Sequence, residues 1–124
     1  MIDSAETLVF VYGTLKRAGS NHSFLRGQRY VGDAITAAGY RLFALGEYPG
    51  MVFWDGDLGH VKGEVWSVDD ECLTHLDVLE GVAEGLYRRE RVSLLPPFQS
   101  DVVQTYLYAL SVEGRSDLGA EWVE

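Results

Sequence analysis

The sequence predicts an α+β protein, a strand-dominated sheet curled into a small barrel with one main helix packed across it. Three observations predict it. Seven short runs, apolar or alternating, read as strands. One stretch only, "SVDDECLTHLDVLEG", carries a firm helical period between cap signals. Glycine, at 14 of 124 residues, is about 11% of the chain against an average of roughly 7%, and so argues for many turns.

The first strand is "LVFVY", residues 8–12, five apolar residues in a row and therefore buried on both faces. It stops at Gly13-Thr14 without an ordinary hairpin turn. "GSNHSFLRG", residues 19–27, holds a turn or two of helix, capped by Ser20 or Asn21 and closed by Gly27. Strands follow at 30–36, 40–45, 51–54 and 61–68, the last with Gly63 as a candidate bulge. Asp69 or Asp70 caps the main helix, acids crowd its first turn, and Gly81 stands at the C′ position. The final strands cover 87–94 and 102–110, joined by the hairpin-like "LPPFQSD". In the second, Val103, Thr105, Leu107 and Ala109 oppose Val102, Gln104, Tyr106 and Tyr108.

Bulk properties narrow the class. A chain of 124 residues is expected to form a single domain, 1–124, with 47% hydrophobic residues weighing against disorder. A formal net charge of −9 weighs against nucleic acid or an anionic membrane as partner, although local cations could still handle a small acid. Cys72 is the sole cysteine, so no intrachain disulfide forms and a reducing compartment fits. The opening "MIDSAETLVFVYG" lacks the basic region of a signal peptide, and no apolar run approaches a membrane span. The expectation is a soluble cytoplasmic protein, monomeric by default.

One carboxylate stands out on the helical wheel. At about 100° per residue, Cys72, Leu73, Leu76 and Leu79 form an apolar stripe, and Glu80 falls within it in the last turn. Desolvation and the negative end of the helix dipole both raise a carboxylate's pKa there, as a general base near neutral pH requires. The competing reading has Glu80 fraying into solvent or pairing with Arg88, Arg89 or Arg91. Glu84, past Gly81 in a loop, is a reserve candidate. A strand ending in Gly-Thr can also present successive backbone N–H groups to an anion or oxyanion, with an ordinary turn as the alternative.

Other constellations carry less. His22, His60 and His75 lack ligand-like spacing, so no metal site is expected. Cys72, on the apolar stripe, reads as a core thiol. "GTLKRAGS" lacks the G-K-[ST] of a phosphate loop, no G-x-S-x-G occurs, and "RRER" reads as a solvated strand face.

"FVYGTLKRAGSNH", "GEYPGMV", "VKGEVWSVDDECLTHLDVLEG" and "YRRERVSL" occur in an order that resembles the γ-glutamylcyclotransferase-like family, which includes plant AIG2-like proteins and γ-glutamylamine cyclotransferases. The resemblance runs from Phe10 to Tyr108, and "GAEW" is similar to the family's tail. It implies a small mixed barrel with flanking helices and a cavity floored by Tyr12, Gly13, Thr14 and Leu15. It assigns the acid/base role to Glu80, within L-D-x-x-E-G, the residue the wheel selects independently. Tyr87 and Arg89, matching Y-x-R, are implied near the pocket, either in direct contact or shaping the wall and pairing with a carboxylate. The implied reaction cyclises a γ-glutamyl group to 5-oxoproline, releasing an amine or amino acid, with no cofactor. A non-catalytic metabolite-binding or interaction module that keeps the pocket is the alternative from another class.

Overall fold

Successive residues of the first strand enter different cores, and this shows how the molecule is layered. In a computed structural model that describes residues 6–124, β1 (Glu6–Val11) sends Val9 and Val11 into one apolar cluster and Phe10 into another. Residues 1–5, on which the expectation of no signal peptide partly rests, lie outside the described residues. The β1 strand is covered on both faces, which is why its sequence is a continuous apolar run.

Six further strands complete one mixed sheet: β2 (Arg29–Ile35), β3 (Tyr40–Ala44), β4 (Pro49–Phe53), β5 (Lys62–Asp69), β6 (Tyr87–Val92) and β7 (Val103–Tyr108). The order is β2-β5-β1-β7-β4-β3, and β6 pairs with β7 along its other edge. Most pairs are antiparallel, but β7 lies parallel to β1 through Leu8–Val103 and to β4 through Met51–Leu107. One edge of β7 thus serves two strands in turn, and β1 and β4 splay apart beyond it. The sheet curls until a bridge between Thr36 and Leu94 ties the end of β2 to the chain beyond β6. Among the described residues no full ladder closes it, so "barrel" describes its curl and not its hydrogen bonding.

Inside the curl lie Phe10, Leu42, Met51, Val61, Val65 and Val103. On the outer face α1 (Asp70–Leu79) packs against β1, β5 and a short 3₁₀ helix, His22–Leu25, through Cys72 and Leu76. Among the described residues no helix is long and apolar enough to cross a membrane.

Several local expectations are refined. Asp69 is the cap of α1, its carboxylate accepting the Cys72 N–H at 2.8 Å. Asn21 occupies the cap position of the 3₁₀ helix, but its side-chain amide donates to Thr14 Oγ1 at 3.1 Å instead of capping. Gly63 is not at a bulge: it pairs in register with Ala34, and the irregularity lies farther along the pair, in β2 between Tyr30 and Gly32, opposite Val65 and Trp66. Glycine is needed at 63 because a Cβ there would meet the Val11 carbonyl oxygen at 2.4 Å and the Phe10 ring at 2.6 Å. Both faces of β7 are buried, so its alternation separates two cores and not core from solvent.

Candidate active site

The C-terminal end of α1 explains where Glu80 goes. Leu79 is the last helical residue and Glu80 the C-cap; the Gly81 N–H then donates to Val78 and the Val82 N–H to Asp77, at 3.1 and 3.0 Å. That paired closure requires a left-handed residue after the cap, and Gly81 supplies it with φ of 63°. The chain therefore turns away immediately after Glu80. The Glu80 side chain is left on the helix's inward side, lining a cavity of about 420 Å³.

Among the described residues no cation pairs with the Glu80 carboxylate. Arg88 pairs with Glu90 and Arg89 with Asp77, at 2.6 and 2.9 Å, and Arg91 forms no ion pair among the described residues, so none of the three arginines that the sequence left open is paired with Glu80. Desolvation by burial pushes the Glu80 carboxyl up to about 7. Burial first, with the Glu80 charge after it, also pushes the Tyr12 hydroxyl well above its ordinary value. Tyr87 and Tyr106 are raised too, again by burial before anything else. The phenols around this carboxylate are therefore neutral at physiological pH. Glu84, the reserve candidate, is exposed and lies outside the cavity lining.

Opposite Glu80, the chain leaves β1 through Tyr12, Gly13, Thr14 and Leu15, all four of which line the cavity. The Tyr12 hydroxyl is committed to the scaffold: it donates to the Tyr106 carbonyl at 2.6 Å and accepts the Met51 N–H at 3.2 Å. The loop then folds on itself, with the Asn21 N–H on the Thr14 carbonyl at 2.9 Å and the Lys16 N–H on the Gly13 carbonyl at 3.1 Å. Among the described residues the N–H groups of Gly13, Thr14 and Leu15 have no acceptor. Three successive free donors beside a cavity are what an anion or oxyanion site needs.

The need for glycine at 13 comes from packing and not from backbone conformation. Its φ is not positive; instead a Cβ there would meet Pro49 Cγ at 2.7 Å and Cδ at 3.0 Å. Pro49 in turn holds the far wall, since its carbonyl accepts the Tyr87 hydroxyl at 2.9 Å. Y-G-T-L, Y-P-G and the Tyr87 strand thus meet at one proline. Gly13→Ala should cost about 1–3 kcal/mol of stability. In a Pro49→Ala background that cost should shrink, which a double-mutant cycle by urea unfolding would measure. Equal costs in both backgrounds would remove Pro49 as the reason for Gly13.

Tyr87 lines the cavity, whereas Arg89 does not. The Arg89 guanidinium is fixed by Asp77, through Nε at 2.9 Å, and by Gln104. Asp77 also accepts the Tyr106 hydroxyl at 2.7 Å, and Tyr106 is a cavity wall. Arg89 therefore stands one layer behind the site, in the carboxylate-pairing alternative of the two that the resemblance implied. Arg17, beside the Y-G-T-L motif, is likewise spent on buried Glu64, whose carboxylate also receives the Trp66 indole N–H at 3.1 Å. Cys72 is buried in the core, and burial pushes its thiol up to about 11.

Sequence reasoning did not name Glu47, Tyr48, Pro49 or Tyr106 as site residues, yet all four line the cavity. The signal for three of them was the G-E-Y-P-G stretch. Tyr106 had no local signal, because it arrives from a strand remote in sequence.

Comparison with known proteins identifies the family and agrees with the fold. A family model described as "Gamma-glutamyl cyclotransferase, AIG2-like" matches residues 9–124. A Vibrio cholerae protein, named as a candidate γ-glutamylcyclotransferase, is 38% identical over 94% of this chain and 96% of its own. The human γ-glutamylaminecyclotransferase is 36% identical over 94% of this chain and 84% of its own. The crystal structure of an AIG2-like protein from Mus musculus superposes with a TM-score of 0.68 and 29% identity, covering 86% of this chain and 78% of that one.

Proposed function

The chain belongs to the γ-glutamyl cyclotransferase, AIG2-like family, and on that premise we propose that it cyclises a γ-glutamyl group to 5-oxoproline, with Glu80 as general base and then general acid. The observation that carries this reading is the Glu80 carboxyl, half-buried, paired with no cation among the described residues and pushed up to about 7, lining one cavity with residues 13–15, whose three backbone N–H groups are unused. A base that must accept a proton and return it within one turnover works best at such a value.

The substrate's α-ammonium gives a proton to Glu80. The freed amine attacks the γ-carbonyl carbon, forming the ring C–N bond, and the carbonyl oxygen becomes an oxyanion. Collapse breaks the bond to the leaving nitrogen, which takes the proton back from Glu80; the ring nitrogen then gives its extra proton to Glu80, which passes it to the released amine and returns to its ionised form. Nucleophile and electrophile belong to one molecule, so most of the work is holding the chain bent. The N–H groups of residues 13 to 15 serve either the α-carboxylate or the oxyanion. Tyr12 and Tyr87, their hydroxyls tied to Tyr106, Met51 and Pro49, set the shape of the walls and do not move protons.

The test is 5-oxoproline release from a panel of γ-glutamyl amines, amino acids and peptides. Product with no added cofactor supports the reading. Tight binding of a γ-glutamyl compound without product would instead assign the chain to non-catalytic recognition.

A further inference from the structure

We propose that Glu47 selects the leaving group by charge, favouring γ-glutamyl conjugates whose released amine carries a second positive charge over γ-glutamyl amino acids. The inference rests on the cyclisation reading above. Every γ-glutamyl substrate brings the same α-ammonium and α-carboxylate; the members differ only beyond the γ-carbonyl. With the common head between Glu80 and the loop at 13–15, the variable part extends to the cavity mouth.

Glu47 and Tyr48 line that mouth, on the turn joining β3 to β4. The turn is fixed by the Leu45 N–H on the Tyr48 carbonyl at 3.1 Å and by Gly46 at φ of 114°. Glu47 forms no ion pair among the described residues. Tyr48 is 40% exposed, so its ring is available to a ligand cation.

No lysine or arginine lines the cavity. The cations that the sequence sets near it are engaged elsewhere. Lys16 Nζ donates to the Trp122 carbonyl at 2.7 Å, Arg17 is held by Glu64 and Asp33, and Arg89 is held by Asp77. An amino-acid leaving group would therefore bring its carboxylate toward Glu47 with no compensating charge, on a protein of net charge −9. A diamine would bring an ammonium to the same place. Local charge and overall field act in the same direction.

The experiment uses γ-glutamyl conjugates of putrescine, butylamine and γ-aminobutyrate, leaving groups roughly matched in length but cationic, neutral and anionic. At low ionic strength kcat/KM should fall in that order, with the cationic conjugate ahead of the anionic by about tenfold or more. The ratio should contract in roughly 0.5 M salt, because the mouth is open to solvent. Glu47→Gln should reduce the cationic-to-anionic ratio by at least about threefold, and Glu47→Lys should invert it. A ratio unchanged in Glu47→Lys, or a wild type that prefers the anionic conjugate, overturns the assignment of Glu47 while leaving the reaction intact. Absence of 5-oxoproline from all three conjugates overturns the cyclisation reading and the charge selection with it.

Discussion

Glu80→Gln should lower kcat/KM on a verified γ-glutamyl substrate by about 10²–10⁴-fold, the usual contribution of one positioned acid/base group. Glutamine keeps the shape of the side chain and its place at the end of α1, so the loss measures the proton and not the packing. The pH profile makes the claim sharper. Glu80 acts as base in its ionised form, and its carboxyl lies at about 7, so kcat/KM of the wild type should rise with pH through that value. In the variant the residual rate should lose this ascending limb. Normal turnover by the variant, or an ascending limb that survives the substitution, would give the proton transfer to another group. Glu84 is a poor substitute, because it is exposed and lies off the cavity.

Glu80 was legible in the sequence because two local signals coincide. Its helical phase places it on the apolar stripe of Leu73, Leu76 and Leu79, and Gly81 ends the helix one residue later. A wheel also records what is absent: nothing on the solvated face of α1 neutralises that carboxylate. Whether an arginine from β6 would reach it was a question of tertiary distance, which periodicity does not carry. The answer depends on Asp77, which sits at the margin of the stripe and takes Arg89 for itself.

The strand assignments were legible for the same reason, since period and apolar run length are local properties. Errors concentrate where one backbone meets another. Gly63 looks like a bulge in sequence, yet its role is to let β1 and the Phe10 ring approach, a contact 53 residues away between Gly63 and Phe10. Gly13 marks the end of the first strand in sequence, yet glycine is needed there to make room for Pro49. In both cases the residue type was informative and the cause was not, because the cause belongs to a partner remote in the chain. The mixed sheet has the same origin: the two parallel pairings of β7 involve strands remote from it in the chain, β1 near the start and β4 near the middle.

The second large effect of Glu80→Gln is opposite in sign to the first. The native Glu80 carboxyl lies at about 7, against an ordinary value of 4.5. Between those values the folded protein holds a proton that the unfolded chain has released, so wild-type stability falls as pH rises through this window. Below it the carboxyl is neutral in both states and Glu80 costs nothing by its charge. Above it the full penalty is in place, at most about 3 kcal/mol from the size of the shift. Glutamine carries no charge at any pH. The variant should therefore match the wild type near pH 4 and exceed its stability near pH 8, read as the difference in urea unfolding free energy across that range. Any hydrogen bond gained or lost by the amide adds a constant offset, so the slope isolates the charge. A difference that stays flat with pH would mean that the ionised carboxylate is well solvated in the folded state. The ground for a base poised near neutrality would then be gone, whatever the activity of the variant. A difference that grows with pH while turnover collapses would show that the fold carries an unfavourable ionisation at the one position where the reaction uses it.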